Sequence, residues 1–360
     1  MKQNHLLLGL ILTILCLQSV AQDSFKVRKI KLPSDISYYD NQFSSLYIDN
    51  GSLYLMSECR IEDKSPAYIA FASLRDVDKA IKDSNYVPPF YRIALIGLDT
   101  ISDILESRNQ VYEGLEAMAI CGNTYYFSIE TNTPSDSCYI IKGELIDSTI
   151  LLNTQLFLAI AKPKDENGKH IYNTGFESME IKDGNVYAFF EYNYFNNGNY
   201  VVMADLSLDA ASLQRIPIEK IPFRITDVSW DKKANCYWGI NYFYQGGGGD
   251  TIYRVPENDP NYSFMHAPYV TSSDAFKGNK DSLQKAYHSY AKANIRSYCR
   301  IVQIKEKDNR FTFKSFADLP FQYWAYNWEG LARYKKGFFL MNDKYTPKRP
   351  YFSDLLFLEK

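Results

Sequence analysis

Cysteine and histidine are scarce in this chain of 360 residues. It has six cysteines and four histidines, with no C-x-x-C pair and no regular cysteine spacing. Structural zinc sites and disulfide frameworks both depend on such spacing. The sequence therefore argues against a zinc protein and against a cysteine-stapled fold, although an oxidising compartment would allow one or two disulfides.

The signatures of common hydrolases are also missing. There is no G-x-S-x-G motif, His5 lies in the apolar leader, and His170, His266 and His288 lie in polar or inserted segments. The glycine run at 246–249 is not followed by Lys-Ser or Lys-Thr. These absences argue against a serine or cysteine hydrolase and against a phosphate-binding loop.

Neither sign of charge dominates the sequence. Forty basic and 42 acidic residues give a formal net charge of −2. A nucleic-acid groove built on bulk positive charge is therefore not expected. With 46% hydrophobic residues, the chain has enough apolar material for a large buried core.

The first 22 residues have the layout of a secretory signal. Lys2 precedes the apolar run Leu6–Leu17, and "QSVAQ" follows it. Leu15 stands before Cys16, where a lipid-anchor signal would need a small residue. No later run reaches the roughly 18–20 apolar residues that span a membrane. We expect a secreted or periplasmic protein that does not insert into a membrane.

The rest of the chain repeats one 15-residue pattern five times. Each copy has a short alternating run, a polar turn and a second run rich in aromatic residues, which predicts a β-hairpin. The copies are Ser44–Glu58, Glu116–Glu130, Glu177–Glu191, Asp227–Asn241 and Glu329–Asp343. Most copies are followed by a third strand-like run: Tyr68–Ala72, Cys138–Leu145, Tyr200–Leu206 and Thr251–Val255.

This series of small antiparallel sheets predicts an all-β fold, a five-bladed β-propeller at residues 23–360. A four-stranded blade needs roughly 40–50 residues, and the copies are spaced widely enough for that. The unpaired strand Phe25–Leu32 is expected to complete the last blade beside "LLFLEK" and so close the ring. A sixth blade at "CRIVQIKEKDNRFTFKSF" is the alternative; we favour the outer strands of the fourth blade there, after an insertion at 256–297.

The first residue of each copy is expected at one mouth of the central channel. Carboxylates converging there would repel one another, and a bound cation would remove that conflict. Oxygen ligands without His or Cys favour Ca²⁺. The predicted metal ligands are Ser44, Glu116, Glu177, Asp227 and Glu329. The alternative is that these acids cap turns or pair with surface cations.

The last residue of each copy is expected at the same face, one strand further out. This second set is Glu58, Glu130, Glu191, Asn241 and Asp343. Loops leaving that face are aromatic, and the predicted ligand rim adds Tyr192, Tyr194, Tyr242, Trp324 and Trp328. Such side chains suit stacking on a sugar or a nucleobase, and equally they are common filler in secreted β proteins.

Several segments resemble the calcium-activated nucleotidase (apyrase) family. They are "SSLYIDNGSLY", "EAMAI", "ESMEI" and "WEGLARY". The resemblance implies a five-bladed propeller that hydrolyses nucleoside diphosphates, with Ser44, Glu116, Glu177 and Glu329 as calcium ligands. The family's fourth position is Ser, whereas this chain has Asp227 beside Thr226.

The resemblance is weaker at the family's catalytic segments. Its acidic pair followed by Arg appears only as "SECR", which contains Arg60, and "ETNTPSD" replaces a basic and aromatic motif. "EGL" before a hairpin is also similar to secreted phytase-like esterase propellers.

Two functions follow as hypotheses. The first is a secreted calcium-dependent phosphohydrolase acting on nucleotides or related phosphate esters. In it Glu58 or Glu130 would activate water, and Arg60, Lys344 or Arg349 would meet phosphate charge. The second is a non-catalytic propeller with a structural calcium ion, whose rim binds a glycan or a protein partner.

Overall fold

The computed structural model describes residues 25–59, 67–244, 297–344 and 350–360. The predicted signal at 1–22, the run Thr251–Val255, the insertion except its last residue, and both Arg60 and Arg349 lie outside these ranges. The described part is built almost entirely from β-strands. It has two α-helices, α1 (Leu74–Lys82) and α2 (Leu98–Ser107), which flank the outer strand of the first sheet.

The strands form five four-stranded antiparallel units, which we call blades 1 to 5 in the order of their inner strands. Blade 1 contains β2 (Phe43–Asp49), β3 (Ser52–Ser57), β4 (Tyr68–Ser73) and β5 (Tyr91–Ile96). Blade 2 contains β6 (Tyr112–Cys121), β7 (Thr124–Thr131), β8 (Ser137–Ile146) and β9 (Thr149–Leu152), with β10 (Leu158–Ala161) also paired to β8. Blade 3 contains β11 (Ser178–Lys182), β12 (Asn185–Phe189), β13 (Tyr200–Asp205) and β14 (Gln214–Pro217).

The last two blades are also four-stranded. Blade 4 contains β15 (Arg224–Asp231), β16 (Cys236–Tyr244), β17 (Ser297–Lys307) and β18 (Arg310–Asp318). Blade 5 contains β19 (Trp328–Tyr334), β20 (Gly337–Asn342), β21 (Leu355–Glu359) and the N-terminal strand β1 (Lys26–Ile30). The segment that could have been a sixth blade forms β17 and β18, the outer strands of blade 4, as expected.

The inner strands surround a central axis. β2, β6, β11, β15 and β19 contact one another in that order, and β19 returns to β2. The predicted five-bladed propeller is therefore confirmed. β1 pairs antiparallel with β21 from Lys26↔Glu359 to Ile30↔Leu355, which confirms closure of the ring by the two chain ends. Closure removes the open edge that an incomplete last blade would leave.

Blades stack face to face, so their second strands are buried on both sides. Every residue of β20 is buried, and so is every residue of β7 after its first. Aromatic rings fill the space between neighbouring blades; Phe189, Tyr237 and Phe311 pack together between blades 3 and 4, for example. This explains why the second strand of each repeat is a continuous apolar run rather than an alternating one.

One feature was not expected from the sequence. β5 pairs in parallel with β9, which merges blades 1 and 2 into one sheet. No disulfide joins the five cysteines of the described ranges. Within the same ranges, no helix has the length and apolar character needed to cross a bilayer.

Candidate metal centre

A β-bulge marks the channel-mouth position in four of the five inner strands. The register shifts at Ser44 in β2, at Glu116 in β6, at Thr226 in β15 and at Glu329 in β19. In blade 3 the corresponding Glu177 lies immediately before β11. The register thus places Thr226, and not the predicted Asp227, in line with the other four.

The difference in blade 4 comes from the length of its hairpin. Two residues separate the paired strands in blades 1, 2, 3 and 5, whereas in blade 4 the pair Asp231↔Cys236 encloses four. The longer turn moves both ends of the repeat by one residue. The position expected for Asn241 is accordingly taken by Tyr242, which pairs with Arg224.

Hydrogen bonding supports the equivalence of Ser44 and Thr226. The Ser44 hydroxyl donates to the Leu115 carbonyl at 2.8 Å, and the Thr226 hydroxyl donates to the Trp328 carbonyl at 2.7 Å. Each acceptor is the residue before the bulge in the next blade of the ring. Both hydroxyl oxygens keep lone pairs for a further partner.

Asp227 instead connects three blades near the axis. Its carboxylate accepts backbone N–H bonds from Val228 at 2.8 Å, Leu331 at 2.7 Å and Leu46 at 3.3 Å. Burial raises the pKa of Asp227 above its ordinary value, although these N–H groups act in the opposite direction. The carboxylate ties the inner strands of blades 4, 5 and 1 together, and its predicted role as a metal ligand stays a prediction.

Three carboxylates converge at the channel mouth from blades 2 and 3. One oxygen from each of Glu116, Glu130 and Glu177 lies within 4.8 Å of the other two. The three glutamates are buried, with exposed fractions of 7%, 5% and 8%, respectively. Glu130 was predicted as an outer catalytic acid, but its position places it beside the two predicted metal ligands.

The electrostatics of this cluster favour a cation. Burial raises the pKa of Glu177 well above its ordinary value, and the carboxylate of Glu116 raises it further. Burial, followed by the charge of Glu191, raises the pKa of Glu130 to about 8. Burial and then Asp343 raise the pKa of Glu329 well above its ordinary value. A bound cation would oppose these effects because it stabilises the ionised forms.

Apart from Glu130, the outer set of predicted residues divides into two groups. Glu58, Glu191 and Asp343 are close enough to the inner acids to raise their pKa values. Asn241 is instead committed to the protein: its amide donates to the Pro222 and Arg224 carbonyls and accepts from Arg300. Asn241 therefore supports the start of β15, and its predicted place on the ligand rim stays a prediction.

Most of the predicted aromatic rim belongs to the core. Tyr192, Tyr242 and Trp328 are buried, and Trp328 donates its indole N–H to the Tyr323 carbonyl. Trp324 is half-buried and packs edge-on against Tyr298. Tyr194 is half-buried with Lys220 above its ring. The three buried rings fill gaps between loops and blades, and the predicted ligand rim stays a prediction.

Cations near the funnel were largely missed from the sequence. Lys162 is buried and its ammonium donates to the carbonyls of Thr131 and Asn132, beside Glu130. Arg224 forms an ion pair with Glu191, and Lys344, which the sequence did single out, donates to Gln42. Lys162 and Arg224 lie outside the repeat pattern, so only the folded arrangement brings them to the acids.

A further acid was missed deeper in the channel. Glu180, three residues after Glu177, accepts a hydrogen bond from the Trp230 N–H at 2.7 Å and interacts with the Tyr47 hydroxyl. Burial raises the pKa of Glu180 to about 7, while these donors limit the increase. Its place between the apolar residues Met179 and Ile181 in the "ESMEI" strand was the available sequence signal.

Fold and site together define a β-propeller with an acidic cluster at one mouth of its channel. No protein-family model matches the chain, and no curated protein matches it. Among solved structures, an exo-1,5-α-L-arabinanase from a bovine ruminal metagenomic library has a TM-score of 0.46 at 7% identity, covering 89% of this chain and 94% of that chain.

Two further solved structures are similar at the same level. RS223 β-xylosidase has a TM-score of 0.45 at 10% identity, with 92% of this chain and 94% of that chain covered. A putative oxidoreductase (glucose dehydrogenase) from Thermus thermophilus has a TM-score of 0.44 at 8% identity, with 93% and 100% covered. At these scores the similarities carry no argument about the site.

Proposed function

We propose that this protein is a secreted or periplasmic calcium-binding propeller that hydrolyses nucleotides or related phosphate esters. The observation that carries the proposal is the approach of the Glu116, Glu130 and Glu177 oxygens to within 4.8 Å of one another in a buried position. The apolar leader at residues 1–22 supports a location outside the cytoplasm, where calcium is plentiful.

The donor set fits calcium better than a transition metal. Calcium takes 6–8 oxygen ligands at about 2.3–2.6 Å, and two oxygens on one ion can be nearly 5 Å apart. Glu116, Glu130 and Glu177 would supply carboxylate oxygens, with Glu329 and the Ser44 and Thr226 hydroxyls at the corresponding positions of the other blades. When bound, the ion would polarise a phosphoryl oxygen.

The remaining funnel residues suit hydrolysis better than sugar stacking. Glu58 is buried and close to both Glu329 and Glu130, and is the acid that we assign to orienting or deprotonating water. Arg224 and Lys344 supply positive charge at the mouth. Burial of Tyr192, Tyr242 and Trp328 removes three of the aromatic faces that a glycan would need.

Phosphate release from a panel of nucleoside mono-, di- and triphosphates tests this proposal. Wild type should release phosphate only when calcium is present. Glu58→Gln should bind calcium normally but lose most of the turnover, whereas Glu106→Gln, an exposed acid on α2, should behave as wild type.

Calcium binding without phosphate release from any nucleotide would contradict the catalytic part of the proposal. It would favour the non-catalytic alternative, in which the calcium ion is structural and the rim binds a glycan or a protein. Binding to a glycan array, dependent on the half-exposed Trp324, would then be the expected result.

A further inference from the structure

The acidic funnel is lopsided, because blade 4 contributes no acid to either ring of the mouth. At the inner position it has Thr226 in place of a carboxylate, and at the outer position it has Tyr242. Blades 2, 3 and 5 contribute an acid at both positions: Glu116, Glu130, Glu177, Glu191, Glu329 and Asp343. Blade 4 is therefore the sector of the mouth that supplies no negative charge at these positions, and the blades on either side of it supply two acids each.

Blade 4 carries a cation instead. Two residues before the bulge, the five inner strands and the segments leading into them have Gln42, Gly114, Gly175, Arg224 and Asn327. Arg224 is thus the one member of that set with a positive side chain, and this side chain is 17% exposed. Lys220, in the loop that leads into β15, is exposed and adds positive charge to the same sector.

Arg224 lies between the acids of two other blades. Its Nε is 3.4 Å from Glu191 Oε2, so the two side chains form an ion pair. Its charge also lowers the pKa of Glu329 in blade 5. The guanidinium therefore lies at the mouth, between the acids of blade 3 and those of blade 5.

We propose that Arg224 binds an oxyanion of the substrate, either a phosphate or a sugar carboxylate, on the blade 4 side of the acidic funnel. This inference rests on the proposed calcium site, because the ion would neutralise part of the negative charge of the acids around Arg224. The planar guanidinium presents paired N–H donors that match the spacing of two oxyanion oxygens. The substrate would be held between calcium on one side and Arg224 on the other, so a neutral ligand would bind poorly.

The test measures anion and calcium affinity separately by calorimetry. The probes are adenosine 5′-(α,β-methylene)diphosphate for phosphate and trigalacturonic acid for carboxylate, each titrated into calcium-saturated protein and into chelator-treated protein. The variants are Arg224→Gln, Arg224→Lys and the control Arg215→Gln, an exposed arginine on β14 that stacks on Tyr200.

Arg224→Gln should weaken binding of the recognised probe about ten- to hundred-fold, since it removes a charged hydrogen-bond donor. Its calcium Kd should stay the same or fall, since Arg224 does not ligate calcium and loss of its positive charge lessens the repulsion of the ion. Arg224→Lys should fall between Arg224→Gln and wild type, and Arg215→Gln should match wild type. Whichever probe shows this pattern identifies the oxyanion. If a thermal melt shows that Arg224→Gln does not fold, the anion affinity of Arg224→Lys relative to wild type tests the inference instead.

Three results would overturn the inference: neither probe binds wild type, the probe binds Arg224→Gln as tightly as wild type, or calcium affinity falls as much as anion affinity. Failure of the calcium proposal is a separate result. If wild type binds no calcium, the anion titrations into chelator-treated protein test the inference. Anion binding that depends on Arg224 in those titrations still supports the role of Arg224.

Discussion

Glu180 makes the stability of the propeller depend on pH in a way that one substitution can isolate. Burial raises the pKa of its carboxyl from 4.5 to about 7 in the folded protein. A carboxyl with a raised folded pKa keeps its proton in the folded state over a range in which the unfolded chain loses it. The free energy of unfolding therefore falls as pH rises from about 4.5 to about 7 and is level above that. The full cost at high pH is about 3 kcal/mol, from 1.36 kcal/mol per pKa unit.

Glu180→Gln removes this titration but keeps an oxygen for the Trp230 N–H. Urea unfolding of both proteins at pH 5 and pH 8 gives two differences in unfolding free energy. From pH 5 to pH 8, the unfolding free energy of the variant should rise by about 2.5 kcal/mol relative to that of wild type. Because both proteins share every other buried acid, this change belongs to Glu180. Glu106→Gln should show no such change, and a pH-independent difference for Glu180→Gln would refute the reasoning.

Other perturbations test how the blades are joined. Asp227→Asn replaces one acceptor oxygen by an amide donor that faces backbone N–H groups, so it should lower the free energy of unfolding by about 2–4 kcal/mol in urea titrations. Gly330→Ala places a Cβ 2.7 Å from Leu46 Cγ and should cost about 1–3 kcal/mol, part of which Leu46→Ala should recover in a double-mutant cycle. Deleting Lys26–Ile30 exposes the edge of Leu355–Glu359, so size-exclusion chromatography should detect aggregates, and a stable monomer would contradict closure.

The sequence was informative about the fold because each blade repeats the same local physics. A period-two run, a turn and an aromatic run predict a hairpin, and five hairpins predict the ring. Two-residue turns such as Asn50–Gly51 kept four of the repeats in one register. In blade 4 the four-residue turn broke that register, which is why Asp227 and Asn241 were assigned one residue away from Thr226 and Tyr242.

The parts of the site that could not be predicted depend on contacts between blades. Glu130 joins Glu116 and Glu177 because neighbouring blades bring their strand ends together, and no spacing along the chain encodes that distance. Lys162 and Arg224 reach the funnel from outside the acidic positions of the repeat. Composition also could not distinguish a rim tyrosine from a core tyrosine, since rings such as Tyr192 fill loops as readily as they bind ligands.

The most direct measurement is calorimetric titration of calcium into chelator-treated protein at pH 7, for wild type, Glu177→Gln and Glu106→Gln. Wild type and the Glu106 variant should bind one calcium ion per chain and release protons, because the pKa of Glu130 is raised to about 8 without a cation. Glu177→Gln should bind at least about ten-fold more weakly, since it removes one charged ligand. Absence of binding in wild type, or unchanged binding in Glu177→Gln, would contradict a calcium site at the axis.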